Sequence, residues 1–327
     1  MTETNDGPSI PSGRQYVISR GGSRAVVTEV GAGLREFSVG GLPVVWGYDS
    51  TEMAVGGRGQ ILAPWPNRIE DGSYSFGGKT GRAALDEPDR RNAIHGLTRW
   101  LIWQLDRHEI DSVALSCTLG PQPAYPWRLA IGVSYAVAGA GLVVNAWAEN
   151  RSAQTAPFGF GAHPYLDAGS AGVDGCELRL PATRHLLVDE RAIPCGSEDV
   201  AGTAFDFRAG RSLAGARLDD CFTGLSGASV GDGQGPASDV SPRVAEQASF
   251  EATLRTAAGN TLGLWAGPGF GYVMCYTGDT LDEGLRRRGV AIEPMTCPPN
   301  AFRSGESLVR LEPGARWSGT FGIRLLD

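Results

Sequence analysis

The chain is 327 residues long, with 47 glycines, 20 prolines and a formal net charge of −7 at pH 7. An acidic balance without an extended basic block argues against nucleic acid and anionic membrane surfaces as partners. The frequent glycine and proline residues favour many short strands joined by turns over a helical bundle.

The N-terminal segment is polar and acidic, so it lacks the positive start and apolar stretch of a secretory signal. No later apolar run approaches the length of a membrane span. Six cysteines are scattered without C-x-x-C spacing, which predicts free thiols in a reducing compartment instead of a disulfide or zinc framework. We therefore expect a cytoplasmic protein.

The first part of the chain is predicted to contain short strands after a flexible tail. Residues 1–13 form the predicted tail, and residues 14–327 form a single predicted domain. From Gln15 onward, short segments bounded by glycine or proline are predicted strands: Ala25–Val30, Leu34–Val39, Leu42–Trp46 and Ser73–Phe76. The last of them ends at Gly77-Gly78, a pair that favours a tight hairpin turn.

The clearest predicted element is a hairpin in the middle of the chain. In Leu129–Val137 the large apolar residues fall on every second position, which is the period of a strand with one packed face. The glycine-rich segment Ala138–Gly141 predicts a turn, after which Leu142–Glu149 returns as the partner strand. A second alternation, Arg316–Leu325, predicts a C-terminal strand. Trp147 and Trp317 lie on these strands and are predicted to be core residues.

Further strands are predicted between these two regions. Residues 226–247 are rich in Gly, Ser, Asp and Pro, which predicts a long loop. No segment of twelve or more residues keeps a period of 3.6 residues, so the predicted fold class is all-β, in large packed sheets. The further strand segments are Glu177–Leu180, His185–Val188, Phe250–Arg255, Thr261–Trp265, Tyr272–Thr277 and Gly289–Glu293.

Two stretches combine irregular backbone with polar residues suited to binding hydroxyl groups. In Pro64–Arg68, prolines stiffen the approach to Asn67 and Arg68, which offer several hydrogen-bond donors and one acceptor. His95 precedes Gly96, a residue that permits close backbone approach beside the imidazole. The alternative interpretations are a solvent-exposed loop with Arg68 in a surface ion pair, and a turn histidine at position 95.

Two further stretches carry groups suited to proton transfer. His163 directly precedes Pro164, which biases the histidine backbone towards extended geometry. Glu293 ends an apolar segment, also directly before a proline, and a carboxyl group buried there would have a raised pKa. The alternatives are an inert strand-end histidine and an exposed strand-end glutamate. His108 and His185 lie in ordinary sequence surroundings, and no role is assigned to them.

Five short motifs follow one another along the chain, and each alone is a weak signal. They are Asn67-Arg68 after Pro-Trp-Pro, His95-Gly96, Gly161-Ala162-His163-Pro164-Tyr165, Asp219-Asp220-Cys221-Phe222 and Ile292-Glu293-Pro294. Together, in this order, they resemble the aldose 1-epimerase (galactose mutarotase) family from about Val17 to the C-terminus. The stretch after the glutamate, Pro294-Met295-Thr296, departs from familiar galactose mutarotases and leaves the identity of the sugar open.

The resemblance implies a large antiparallel β-sandwich, the galactose mutarotase-like supersandwich, with an open sugar cleft and no cofactor or metal. It implies Glu293 as the general base and His163 as the general acid. Asp219 is preferred to Asp220 because the family's aspartate usually stands three residues before the phenylalanine. The sugar-binding positions that the resemblance implies are Asn67, Arg68, His95 and Asp219.

The implied reaction is interconversion of the α and β anomers of a hexose by ring opening and closure. A carboxylate and a histidine, with ordinary pKa values near ~4.3 and ~6.5, suit that acid–base chemistry at neutral pH. The expected partner is a small-molecule sugar, and the expected assembly is a monomer or homodimer. Trp65, in the proline-rich loop, is a further candidate for stacking on the apolar face of a sugar.

Three alternatives stay open at this point. A hexose 6-phosphate 1-epimerase would need cationic side chains at the far end of its substrate, for which the candidates are Arg58, Arg91 and Arg99. A non-catalytic carbohydrate-binding protein could use the same fold, since fold alone does not establish function. A metal enzyme would use two histidines and one carboxylate as ligands, for which the candidates are His95, His163 and Glu293.

Overall fold

The computed structural model describes residues 10–225 and 248–326, so the loop predicted at residues 226–247 and most of the predicted tail lie outside the described residues. Within these ranges the regular structure is almost wholly strands, with one short α-helix at Ala301–Ser304. Three 3₁₀ turns occur at Val55–Gly57, Pro88–Arg90 and Val173–Gly175. No helix in the described part of the chain is both long enough and apolar enough to cross a lipid bilayer. The all-β prediction is confirmed.

The strands are short, as the frequent glycines and prolines predict, and they are numbered in chain order. They are β1 Gln15–Arg20, β2 Ser23–Thr28, β3 Leu34–Val39, β4 Leu42–Val45, β5 Ile61–Leu62, β6 Arg68–Glu70, β7 Ser73–Phe76, β8 Lys79–Arg82, β9 Asn92–Ile94, β10 Gln104–His108, β11 Ser112–Leu119, β12 Leu129–Ala138, β13 Gly141–Asn150, β14 Ala156–Phe158, β15 Gly161–Ala162, β16 Tyr165–Asp167, β17 Glu177–Arg179, β18 Ala182–Val188, β19 Pro194–Asp199, β20 Arg211–Ser212, β21 Asp219–Leu225, β22 Phe250–Arg255, β23 Thr261–Ala266, β24 Tyr272–Tyr276, β25 Gly289–Met295, β26 Val309–Leu311 and β27 Arg316–Leu325.

Two large antiparallel sheets form the body of the described residues. The first sheet runs β1-β2-β3-β4-β16-β25-β24-β21-β18-β19, with β5 and β15 attached beside β25. The second sheet runs β10-β11-β12-β13-β27-β23-β22-β17-β20. Apolar side chains from both sheets join in one core, for example Phe37 and Ile292 of the first sheet with Tyr135 of the second. Burial of these faces is what holds the two sheets together.

The predicted hairpin is confirmed, and its register explains which side chains are buried. β12 and β13 pair from Leu129 opposite Asn150 to Ala138 opposite Gly141. Along β13 the even-numbered residues are buried and the odd-numbered ones are partly exposed. Trp147 therefore lies on the outer face, where the Arg316 guanidinium stacks 4.0 Å from the ring centroid. The core prediction is wrong for Trp147 and confirmed for Trp317, which is buried.

Trp65 is a core residue, so the sugar-stacking hypothesis for it is wrong. Its side chain is buried, and its ring centroid lies 5.4 Å from that of Phe302. The same phenylalanine, from the short helix, also meets Tyr74 edge-on at 4.8 Å. The proline-rich segment therefore turns its tryptophan inward against Phe302, which is remote from it in the sequence.

We expect Trp65→Ala to lower the free energy of unfolding by about 3–5 kcal/mol, because the lost ring leaves a cavity in the core. Trp100→Ala is the matched control, since Trp100 is 50% exposed, and it should change the same quantity by less than about 0.5 kcal/mol. Urea unfolding followed by circular dichroism measures both variants. Equal unfolding midpoints for the two variants would contradict the core position of Trp65.

Candidate active site

Three neighbouring strands of the first sheet carry acidic and aromatic side chains on one face. β21 pairs with β24 so that Asp219 lies opposite Tyr276, and β24 pairs with β25 so that Met274 lies opposite Glu293. Side chains two residues apart on a strand point to the same face. The register therefore places the Asp219 and Glu293 carboxylates on the face of the first sheet that points away from the shared core.

His163 is brought to Glu293 by the two strand segments on either side of it. Gly161 pairs with Met295 and Tyr165 pairs with Ala291, so the same register sets His163 opposite Glu293 across the break at Pro164. The His163 Nε2 atom lies 3.3 Å from Glu293 Oε1, and both side chains are buried. The imidazole also stacks on the Tyr165 ring at 5.0 Å, which fixes its plane.

His95 and Asn67 meet because the short strands β6 and β9 pair with Arg68 opposite Ile94. The His95 N–H donates to the Asn67 carbonyl at 2.9 Å, and the Asn67 N–H donates to His95 Nδ1 at 3.3 Å. The neutral imidazole therefore carries its proton on Nε2. Its ring centroid lies 5.2 Å from that of His163.

Gly96 fulfils the predicted close approach beside His95. Its φ is +70°, and a Cβ atom at this position would lie 2.2 Å from the Ala63 carbonyl oxygen. Neither the backbone conformation nor the space would admit a side chain there.

Arg68 is held by two carboxylates at the edge of the site. It donates to both oxygens of Glu87, with Nε to Oε2 at 2.9 Å and Nη2 to Oε1 at 3.0 Å. Its Nη2 also donates to Asp219 Oδ2 at 3.2 Å, an oxygen that Arg90 approaches at 3.4 Å. Bidentate pairing of this kind fixes the orientation of a buried guanidinium as well as neutralising it.

All six site residues predicted from the sequence line one cavity of about 630 Å³. Asp220 does not line it, because adjacent residues on a strand face opposite sides. The residues that line the cavity are Met53, Ala54, Val55, Gly56, Gly57, Asn67, Arg68, Glu87, Asp89, Arg90, Ile94, His95, Arg99, Trp100, His163, Asp219, Tyr276, Thr280, Leu281 and Glu293.

Sequence reasoning missed several of these residues, among them Glu87, Arg90 and Tyr276. Glu87 directly precedes a proline, as Glu293 does, so the signal that singled out one glutamate was also present at the other. Arg90 and Tyr276 carry no comparable local signal. They belong to the site only because a 3₁₀ turn and β24 bring them to the cavity.

The three arginines considered for a phosphate group have different positions. Arg99 lines the cavity and is paired with Asp86 at 2.9 Å. Arg58 is buried beneath the Trp46 ring, 4.5 Å from its centroid, and donates to a backbone carbonyl. Arg91 is exposed and pairs with Asp71. Arg99 therefore lines the cavity, whereas Arg58 and Arg91 do not.

The proposed two-histidine, one-carboxylate metal site has no support in the side-chain geometry. Among residues 10–225 and 248–326, no three His, Cys, Asp or Glu side chains are grouped so that they could hold a metal ion. His163 and Glu293 instead contact each other directly.

Burial sets the protonation of the central pair. It raises the pKa of Glu293 well above the ordinary value of 4.5. Burial, with a smaller contribution from the Arg99 charge, lowers the pKa of His163 to about 3. The pKa of His95 is also well below 6.5, chiefly through burial and then through neighbouring His163. Each shift favours the uncharged form, because the low-dielectric surroundings penalise charge.

Gly57 leaves the space that the His163 ring occupies. Its φ is +74°, and a Cβ atom there would lie 2.7 Å from His163 Cδ2. The backbone on both sides is tied to the histidine, since the Gly59 N–H donates to the His163 carbonyl and the His163 N–H donates to the Gln60 carbonyl. The Val55–Gly57 turn therefore forms a close-fitting wall against the imidazole.

Comparison with known proteins supports what this geometry indicates. Residues 14–324 match the family model described as aldose 1-epimerase.

The chain belongs to the aldose 1-epimerase family. It is 34% identical over 304 residues to the Escherichia coli K12 protein YihR, which is described as uncharacterised, and the match covers 93% of this chain and 90% of that protein. It is 31% identical over 157 residues to the galactose mutarotase of Sus scrofa, covering 46% of this chain and 45% of that protein. The aldose 1-epimerase family is a family of isomerases.

The fold of this family member is also seen in solved structures. The GalM/aldose epimerase homologue from C. elegans superposes with a TM-score of 0.79 at 20% identity, covering 95% of this chain and 98% of that one. An identity this low carries information on the fold alone. The implied galactose mutarotase-like β-sandwich is confirmed.

We expect the His163 imidazole to stay neutral from pH 8 down to about pH 4.5, because its pKa lies at about 3. NMR titration of the protein labelled at histidine ¹³Cε1 measures this, with His163→Asn used to assign the resonance. A titration midpoint near 6.5 for His163 would contradict the effect of burial.

Proposed function

We propose that the protein is an aldose 1-epimerase that interconverts the α and β anomers of a hexose by acid–base catalysis. The observation that carries the proposal is the 3.3 Å contact between His163 and Glu293 in the wall of a cavity rich in hydrogen-bond donors and acceptors. Anomer exchange needs one group that takes a proton and another that gives one, at adjacent oxygens of one carbon. A buried carboxyl–imidazole pair supplies both.

The reaction is balanced without any net gain or loss of protons. Glu293 takes the proton from the C1 hydroxyl while His163 gives a proton to the ring oxygen. The C1–O5 bond breaks, and the C1–O1 bond becomes a carbonyl. Rotation about C1–C2 presents the other face of the aldehyde. On closure the O5 proton returns to His163, and Glu293 returns its proton to O1.

The buried pair matches this sequence of protonation states. Because burial favours the uncharged forms, the pair holds one proton at neutral pH. Ring opening starts from the form with the proton on His163 and produces protonated Glu293 with neutral His163. The form that burial favours is therefore the one that accompanies the open-chain sugar. To start the reaction, the proton must first move from Glu293 to His163, a transfer that their 3.3 Å contact permits.

The remaining polar groups suit the binding of hydroxyls. The Asn67 side-chain oxygen accepts from the Arg68 N–H, which leaves the amide nitrogen as a donor. The His95 Nε2–H is a second donor, since Nδ1 is occupied by a backbone N–H. Asp219 offers acceptor oxygens while it is held by Arg68. Donors and acceptors with fixed directions can orient a neutral, hydroxyl-rich ring.

Charge at the cavity favours a neutral sugar over a phosphorylated one. Three arginines line it, together with four carboxyl side chains. Arg68, Arg90 and Arg99 each pair with at least one carboxylate. A phosphate group would therefore have to compete for guanidinium groups that are already paired.

We further propose the cytoplasm as the compartment of this enzyme. The six cysteines all lie in the described residues and are unpaired, as expected for thiols in a reducing environment. A monomeric or homodimeric assembly with the sugar as the only partner stays a prediction.

Glu293→Gln and His163→Asn should each lower kcat for anomer exchange by about 10²–10⁴-fold, because each removes one proton-transfer group. Sugar binding should survive, since the donors around the cavity are unchanged. Polarimetry on freshly dissolved sugar measures the rate, and calorimetry measures binding. Full activity in either variant would remove that residue from the acid–base pair.

The wild-type protein should equilibrate pure α-glucose or α-galactose faster than buffer, and neutral hexoses faster than glucose 6-phosphate. NMR on a panel of anomerically pure sugars measures each rate directly, with buffer and Glu293→Gln as controls. Equilibration no faster than buffer across the panel would refute the enzymatic function. A preference for the phosphorylated sugar would assign the alternative hexose 6-phosphate 1-epimerase activity.

A further inference from the structure

A third histidine, His185, lies on the face of the first sheet opposite the cavity, between the carboxylates of Asp220 and Glu198, and these three side chains are called the clamp. His185 is buried, with Nε2 2.8 Å from Asp220 Oδ1 and Nδ1 3.1 Å from Glu198 Oε1. Its ring stacks on Phe205 with centroids 3.7 Å apart. Its sequence surroundings gave no sign of this arrangement, because both carboxylates come from other strands.

Asp220 links this histidine to the site. One oxygen, Oδ1, contacts His185, and the other, Oδ2, accepts the backbone N–H of Asp219 at 3.0 Å. β18 pairs with β21 as far as His185 opposite Phe222. Asp219 lies beyond the end of this strand pairing. Its backbone N–H donates to the Asp220 carboxylate instead of to a residue of β18.

The chain of contacts ends in the cavity. The Asp219 carboxylate accepts from Arg68 at 3.2 Å and from Arg90 at 3.4 Å, and it lines the proposed sugar site. A shift in the Asp219 backbone would move this carboxylate relative to Arg68, whose guanidinium Glu87 holds in place. From these contacts we infer that His185 is a positioning residue: acting through Asp220, it fixes the Asp219 carboxylate for sugar binding. This inference rests on the proposed function.

The clamp depends on the protonation of His185. Burial alone would lower the pKa of this imidazole, but its hydrogen bonds to Asp220 and Glu198 outweigh burial and raise the pKa above 6.5. The groups facing the ring are Glu198 from β19, Asp220 from β21 and two uncharged rings, Phe205 and Phe222. On β24, the Cys275 thiol lies opposite Asp220 and stays protonated, because burial raises its pKa.

The direction of the pH effect follows from the number of donors. Below its pKa, His185 donates from both ring nitrogens and holds both carboxylates. Above its pKa, the neutral ring donates from only one nitrogen, so one carboxylate is released. The Asp220 contact is the shorter of the two, so Glu198 is the carboxylate released, and the KM for sugar should change by less than about twofold through the His185 midpoint. The kcat should not follow that midpoint, because His185 contacts neither His163 nor Glu293.

Two amide substitutions separate the halves of the clamp. The side-chain nitrogen of glutamine takes the place of Nε2, and that of asparagine takes the place of Nδ1. His185→Gln should restore the contact to Asp220 and keep KM within about twofold of wild type. His185→Asn should leave Asp220 unheld and raise KM by about three- to tenfold, the size expected for loss of one typical hydrogen bond. In both variants kcat should stay within about twofold.

A measurement on the wild-type protein covers the case in which a variant fails to fold. With ¹⁵N-labelled aspartate and ¹³C-labelled histidine, the Asp219 amide resonance should shift with the same midpoint as the His185 ring, above pH 6.5. An Asp219 amide that does not move through that midpoint would overturn the inference, as would a wild-type KM in folded His185→Asn. Because the titration needs no substrate, it still tests the link if every sugar in the panel fails and the proposed function falls.

Discussion

The site depends on a contact that is costly to bury. His163 and Glu293 lie 3.3 Å apart on the inside of the cavity, and both are almost inaccessible to solvent. A lone carboxylate or imidazolium in that position would be strongly disfavoured, whereas a pair that shares one proton is not. The strand pairing on both sides of Pro164 keeps the two groups opposite each other. The sheet thus enforces a contact that side-chain preference alone would not maintain.

The charged side chains at the rim of the site are also paired with one another. Arg68 is nearly buried, yet it is satisfied by the bidentate contact with Glu87 and by Asp219. The backbone N–H of Asp219 donates to the Asp220 carboxylate, and Asp220 in turn contacts His185. The two charges that meet at this edge of the cavity, on Arg68 and Asp219, are therefore both paired. Preorganisation of this kind lets a site bind a neutral sugar without first rearranging its own ions.

Sequence reasoning recovers the elements with a strong local period and fails where a contact is remote. β12 and β13 could be predicted because alternation along each strand records which face is buried. The outward position of Trp147 follows from the same alternation, because Trp147 shares its face with Asn145 and Glu149, and the core prediction followed the residue type instead. Trp65 was misplaced because its partner Phe302 is more than two hundred residues away. All six predicted site residues line one cavity, but their identification came from motifs in a known order, and their roles stay proposals.

The distances along the chain between Arg68 and its two carboxylate partners affect how the site forms during folding. Arg68 is 19 residues from Glu87 but 151 residues from Asp219. Closing the shorter loop costs less chain entropy, so the first ion pair can form while most of the first sheet is still absent. The second closes a much longer loop, so its formation costs more chain entropy. Because contacts between distant segments slow the folding of β proteins, a refolding chain would regain much of its strand content before it regains a working cavity.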